Sequence, residues 1–218
     1  FLNNLPHKLI ELKPSLCGLI TKYDVSTLKG VVLKGVILKY KKIVLKGDML
    51  FTDNGVSGPV IFKLSSLNSR VEYPYDVKIQ LIEDINQLEE SLKKGNNKAI
   101  KTVLADFLPK SFVAFLLNYL KIDGEVKCNS LKTNTKELLL GSIKAFEMTL
   151  VKSRKGGETV FSGGVDLSKI GSSFESKLVK NLYFCGEILD IDGFCGGYNL
   201  QNCWSSGYLV GMSILETM

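Results

Sequence analysis

Histidine and arginine are nearly absent from this chain of 218 residues, which has one histidine, His7, and only two arginines, Arg70 and Arg154, among its twenty-eight lysines and arginines. A catalytic dyad built on that one histidine has little in its favour. Arginine is the preferred side chain for bidentate phosphate and base recognition. A net charge of +6 carried by scattered lysines therefore reads as a solvated face, and nucleic acid ranks low among partners. The five cysteines (Cys17, Cys128, Cys185, Cys195, Cys203) are odd in number and form no CxxC pair, which excludes a disulfide framework and a zinc site. Reduced thiols in a cytoplasmic protein, with no metal, are expected. No apolar run reaches transmembrane length, and no signal peptide is visible. No G-x-G-x-x-G fingerprint of a dinucleotide-binding βαβ unit is present either.

What is there is an ordinary soluble composition, 45% hydrophobic and 23% charged. The length suits one large or two small domains. Phe1 in place of an initiator methionine is expected of a fragment or a processed product.

The N-terminal part is β-rich. Residues 8–13 alternate as a strand ended by Pro14. Further strands are expected at 15–21 and 30–40, then past a tight turn at Lys41-Lys42, and at 73–82. Alternation along 30–51 is imperfect, so one face is only partly exposed. Within this region Ser57 is an N-cap candidate and Pro59 suits a first helical turn, which predicts a short helix over 58–66. From Asn86 the period changes from two to 3.6. Asn86 with Glu89 has capping-box spacing, and Gly95 fits a helix stop. Helices are expected at 97–108 and 110–120, broken by Pro109, and at 134–144. No catalytic cluster is visible in this helical block. Strands return over 146–151 and 158–161, with a turn at Lys155-Gly156-Gly157. Two glycines, Gly163 and Gly164, then permit close backbone approach, to a ligand or to another strand.

The stretch from Asn181 to Gly211 carries the chemistry. Residues 182–185 read as a short buried strand, with Cys185 in the core. Gly186 and Glu187 end it, a loop with Asp190, Asp192, Gly193, Gly196 and Gly197 follows, and a helix begins. That helix is expected to bury Leu200, Cys203, Trp204, Tyr208, Ile214 and Leu215. A glycine-rich loop running into a helix start offers unpaired N–H groups and positive dipole charge to a ligand. Glu187 is placed to accept hydrogen bonds from a sugar-like hydroxyl. A plain structural connection explains the spacing as well as a ligand site does.

The runs Gly186-Glu187, Gly196-Gly197-Tyr198-Asn199-Leu200-Gln201 and Ser206-Gly207-Tyr208 resemble the C-terminal signature of a bacterial flavoprotein family. Its members are BaiN-like or aminoacetone-oxidase-like NAD(P)/FAD-dependent oxidoreductases. Met49 to Ser65, Ser162 to Val165 and Glu175-Ser176-Lys177 resemble other motifs of that family. The resemblance implies an α+β fold. A β-rich, barrel-like insertion domain (14–84 and 145–156) carries a helical subdomain (85–144). Residues 1–13 and 157–218 are the C-terminal strands and helix of a Rossmann-like FAD-binding domain. It also implies FAD as cofactor, held by Gly186, Glu187, Asp192, Gly196, Gly197, Tyr198, Asn199, Leu200 and Gln201. The Gly-acid pair would lie at the ribityl and pyrophosphate region, and the Gly-Gly-Tyr-Asn loop at the pyrimidine edge. Thr52, Ser57, Gly163 and Gly164 are candidate cavity residues. The family pattern has histidine where Asp53 stands, so no general-base role is carried over. Cys195 is a catalytic candidate as a redox thiol, set against a loop residue without a chemical role. NAD(P)H and a small-molecule substrate are the expected partners, together with an N-terminal FAD-binding half that supplies the missing fingerprint.

An alternative from another class stays open: a non-enzymatic module that recognises a protein or nucleic acid through its lysines. Lacking the adenosine-binding half, the isolated chain is expected to bind FAD weakly or not at all. An absorbance titration with FAD checks this, and tight stoichiometric binding would contradict it.

Overall fold

A computed structural model describes residues 4–154 and 160–217; the expected turn at 155–157 and the start of the expected strand at 158–161 lie outside the described residues. The chain divides into two units. One comprises Phe1–Cys17, Phe62–Val71 and Ser153–Met218; the other comprises Gly18–Ile61 and Glu72–Lys152.

The second unit is a closed barrel of six strands with helices fused to it. Its strands are β2 (Leu19–Thr21), β3 (Val32–Tyr40), β4 (Ile43–Phe51), β5 (Gly55–Ser57), β6 (Tyr75–Gln80) and β7 (Phe146–Ser153), in the spatial order β2-β5-β4-β3-β6-β7. The Lys22 N–H donates to the Thr149 carbonyl at 2.9 Å, which ties the end of β2 to β7. Closure leaves no edge strand to be covered. The tight turn stands at Lys41-Lys42, with Lys41 at φ 51°. The imperfect alternation of β3 has a local cause. Its register with β4 shifts between Leu33 and Val36, where Gly35 takes φ 61° and donates its N–H to Asp48 Oδ1 at 2.8 Å. That irregularity inserts a residue, so the buried set steps from Leu33 to Val36, Leu38 and Tyr40.

The helices are α1 (Pro59–Leu67), within which the boundary between the units falls, then α2 (Ile85–Lys94), α3 (Ile100–Leu104), α4 (Lys110–Tyr119) and α5 (Thr133–Lys144). Pro59 opens α1 as expected, but Ser57 closes β5 and Gly58, at φ 97°, stands before the first helical turn. Asp84, and not Asn86 with Glu89, caps α2; its carboxylate accepts the N–H groups of Asn86 and Gln87. The helical block shares its core with the barrel. Phe112 of α4 stacks on Phe51 of β4 at 5.6 Å and meets Phe146 of β7 edge-on at 6.0 Å.

In the first unit, β1 (Leu9–Ser15) pairs antiparallel with β8 (Val160–Val165). Pro14 lies inside β1, opposite Phe161, and does not end it. A two-stranded ribbon tolerates this because a strand with one neighbour does not need every N–H in the ladder. Val165, Ile170, Phe184 and Leu189 form a small core. His7 is buried beside it, bonded through Nε2 to Ser176 Oγ at 2.8 Å with its ring edge-on to Phe184. Residues 182–185 do not form a strand; their pairing is a single bridge between Tyr183 and Glu175. The chain closes with α6 (Tyr198–Thr217). Among the described residues, no helix is long and apolar enough to cross a membrane.

Gly55 shows how tightly the barrel closes, since a Cβ there would lie 2.1 Å from the Leu19 carbonyl oxygen. Gly55→Ala is expected to cost ~1–3 kcal/mol through backbone displacement. Gly141→Ala, inside α5 with open space around its Cβ, is expected to gain ~0.5–1 kcal/mol. Urea unfolding of the two variants reads both signs.

Candidate functional site

The glycine turn ahead of α6 is held by three polar ties, each within the first unit. Gly186 takes φ 74° and donates its N–H to Ser206 Oγ at 2.9 Å, while the Ser206 hydroxyl donates to the Asn202 carbonyl at 2.6 Å. Ser206 is 1% exposed, so this bond is sheltered from water. Asp192 Oδ2 accepts hydrogen bonds from Ser15 at 2.6 Å and Ser66 at 2.8 Å, fastening the loop to β1 and α1. Asn199 closes the loop on itself: its Oδ1 accepts the Gly193 N–H at 2.7 Å and its Nδ2 donates to the Gly193 carbonyl at 3.1 Å. The Asn199 amide and the Asp192 carboxylate thus shape the loop.

Beside the turn lies a cavity of about 490 Å³, lined by Ser66, Arg70, Ser162, Asp190, Asp192 and Phe194 among others. The Arg70 guanidinium pairs with Asp190 at its wall. With two carboxylates against one guanidinium that is itself paired, the lining suits a polyhydroxylated ligand, whose hydroxyls can donate to the carboxylates.

The other expected site residues fall as follows. Glu187 sits in a 3₁₀ turn, Gly186–Ile188, with its carboxylate 3.4 Å from the Phe161 N–H. Tyr198 is the first residue of α6 and 64% exposed, and Leu200 is exposed beside it. The Gln201 N–H is spent on the Gly197 carbonyl at 2.9 Å, the first bond of the helix. Cys195 is exposed in the loop. Cys185 is exposed as well, which corrects its expected place in the core, because residues 182–185 lack the strand pairing that would enclose it. Gly163 and Gly164 meet neighbouring backbone: a Cβ on either would lie 2.4 Å from a carbonyl oxygen, of Glu11 and Ile188 respectively. Thr52 and Ser57 belong to the other unit, where Thr52 donates its N–H to the Gly55 carbonyl and Ser57 pairs with Leu50.

The turn leaves room for a ligand at one glycine. Gly197 takes φ 87° and a Cβ there would meet nothing within 4 Å, so space lies open beside the first turn of a helix of 20 residues. Gly196, at φ 136°, lies under the Tyr198 ring, where a Cβ would come within 3.3 Å.

Two features escaped sequence reasoning. The face of α6 carrying Trp204 and Tyr208, expected in the core, is solvent-facing, with both residues 68% exposed. A second cavity, of about 860 Å³, opens in the helical block beside Lys101, Asp106, Lys110, Asn118, Asp123 and Glu125. Its polar residues come from segments that show no local motif, which is why the sequence gave no sign of it.

A closed barrel with a fused helical block, and a glycine turn running into a long terminal helix, define the class: an α+β chain made of a barrel domain with its helical block and the closing segment of a Rossmann-type domain. The chain belongs to the HI0933-like family. The family's barrel and H2TH domain matches residues 13–157, and its Rossmann domain matches 133–213. A ribosomal RNA dihydrouridine synthase of Haemophilus influenzae is 37% identical over 77% of this chain and 42% of its own length. The enzyme of that name from Escherichia coli is 30% identical over 88% of this chain and 48% of its own. A 3-dehydro-bile acid delta(4,6)-reductase of Clostridium scindens is 29% identical over 78% of this chain and 44% of its own. The chain thus spans less than half the length of these relatives.

Ser206→Ala leaves the Gly186 N–H buried without an acceptor and is expected to cost ~1–3 kcal/mol. Ser205→Ala, which loses only an exposed bond from Gln201, is expected to stay within ~0.5 kcal/mol. Urea midpoints of the two variants make the comparison.

Proposed function

We propose that this chain forms the barrel half of an FAD-dependent, NAD(P)H-linked reductase that saturates a carbon–carbon double bond conjugated to a carbonyl, with a uracil base of RNA as substrate. The observation that supports the flavin reading is the open space at Gly197, ahead of α6. The reaction class draws on what the relatives' names have in common. Forming dihydrouridine from uridine and reducing a delta(4,6) double bond of a 3-keto compound both add a hydride and a proton across an alkene polarised by a carbonyl. RNA is preferred because two of the three relatives act on ribosomal RNA by name; composition alone ranks it low.

In this reading a bound flavin supplies the hydride, at the expense of NAD(P)H. The residues of this chain position and shield. Gly197 would let a flavin ring approach the backbone, and the first turn of α6 would offer its positive end to negative charge on that ring. Glu187, exposed in its turn, would accept hydrogen bonds from ribityl hydroxyls, and the cavity lined by Ser66, Arg70, Ser162, Asp190 and Asp192 would take a hydroxylated part of a ligand.

The exposed apolar face of α6, with Leu200, Trp204, Tyr208 and Leu215 each above 60% exposed, is where the N-terminal FAD-binding half packs. Burying a large apolar side chain is worth about 1.5–3 kcal/mol, so four of them justify a permanent partner.

The test is the full-length protein. It is expected to purify yellow, to bleach anaerobically on adding NADPH or NADH, and to convert uridine in RNA to dihydrouridine. A colourless protein, or a flavin that neither nucleotide bleaches, overturns the proposal. Trp204→Asp with Tyr208→Asp is expected to lower bound flavin severalfold, measured by absorbance per protein.

A further inference from the structure

We propose that a lysine-rich surface of the helical block, built by residues 93–98 and 127–136, holds the RNA backbone while a base is reduced elsewhere on the protein. The inference rests on the RNA substrate proposed above and assigns it a binding surface remote in sequence from the flavin motifs.

The two segments are brought together by backbone hydrogen bonds. Ala99 and Lys127 form an antiparallel bridge, the Cys128 N–H donates to the Lys98 carbonyl at 3.0 Å, and the Asn129 N–H donates to the Asn96 carbonyl at 3.0 Å. The Asn129 side chain reaches Asn97 at 3.1 Å. This joins the end of α2 to the approach to α5. Six lysines gather there: Lys93, Lys94, Lys98, Lys127, Lys132 and Lys136. All but Lys136 are exposed. Neither 91–99 nor 126–136 contains an acidic residue. Lys94 pairs with Glu90; among the described residues the other five make no ion pair, whereas Lys46, Lys78, Lys101 and Lys144 elsewhere in the unit do.

The charge is also placed against local preference. Lys132 stands at the N-cap of α5, where its side chain caps nothing, and no acid occupies the first turn. Asp, Ser, Thr or Asn is the usual choice there, because positive charge at a helix N-terminus opposes the dipole. A phosphate relieves both the lysine cluster and the helix end. Cys128, between the lysines, has its thiol pushed up in pKa by burial and so adds no negative charge.

The kind of polyanion follows from the side chains between the lysines. Asn96, Asn97, Asn129, Ser130, Thr133 and Asn134 are all exposed and polar. Such groups hydrogen-bond to phosphate, sugar and base edges. No large apolar side chain is exposed among them, so the surface has nothing to insert into a lipid bilayer.

The experiment uses the full-length flavoprotein and a fluorescently labelled, uridine-bearing RNA stem-loop, with affinity followed by anisotropy from ~50 to ~200 mM salt. Changing Lys93, Lys98, Lys127 and Lys132 together to glutamine is expected to weaken binding at least tenfold and to lower the salt slope by about 3, with the flavin spectrum unchanged. A control with Lys29, Lys34, Lys39 and Lys42 changed to glutamine removes the same charge from the barrel and is expected to shift affinity less than threefold. Equal losses in both variants, unaltered binding in the first, or transfer of the wild type from RNA to phosphatidylserine vesicles would each overturn the proposal. A flavin-containing protein that does not bind RNA overturns the surface and leaves the flavin reading standing. A flavin-free protein that binds RNA through these lysines does the reverse.

Discussion

A β-strand persists only where neighbours take up its backbone hydrogen bonds, and that requirement shapes both units of this molecule. In the second unit it is met by closure. Each of the six strands has its place in one ring, so short pieces such as β2 and β5, three residues each, hold their places. Phe112 then seals the helical block onto the barrel with aromatic contacts to Phe51 and Phe146. In the first unit the same requirement is met sparingly. β1 and β8 form a two-stranded ribbon, extended only by a bridge from Val165 to Leu189, and residues 182–185 have one bridge.

The glycine turn is therefore positioned by side chains where a sheet would ordinarily do it. Ser206 and Asn199 tie turn backbone to α6 and Asp192 ties the loop to β1 and α1, and each bond would be worth about 1 kcal/mol net but more if one partner were left buried alone. Against this, the apolar face of α6 in solvent forgoes several kcal/mol of burial, which is a large share of the 5–15 kcal/mol that stabilises a domain. A polar clamp that is complete thus stands in the same unit as an apolar helix face that is not covered.

Much of the local structure was legible. The helix opening at Pro59 and the break at Pro109 each depend on a residue's own backbone preference, and the stop at Gly95 and the turn at Lys41-Lys42 stand where local pattern put them. The misreadings share a different origin. The alternation of β3 looked imperfect because a register shift at Gly35 moves its inward set by one residue. The cap of α2 lay two residues ahead of the capping-box match, where Asp84 reaches its N–H groups. Trp204, Tyr208 and Cys185 were expected in a core that this chain does not form. For the candidate site, the glycine turn and its helix were visible as a motif, while the clamp through Ser15, Ser66 and Ser206 was not, because its partners are spread over 190 positions or so of sequence.

By itself the sequence determined where strands, helices and glycine turns occur, the excess of lysine, and the family to which its motifs point, because periodicity, capping and turn chemistry are properties of neighbouring residues. Only the tertiary structure decided which apolar faces are covered, which polar groups are committed to holding the loop, and which lysines share one surface. Burial and hydrogen bonding between distant segments depend on how the chain returns on itself, and no local pattern encodes that.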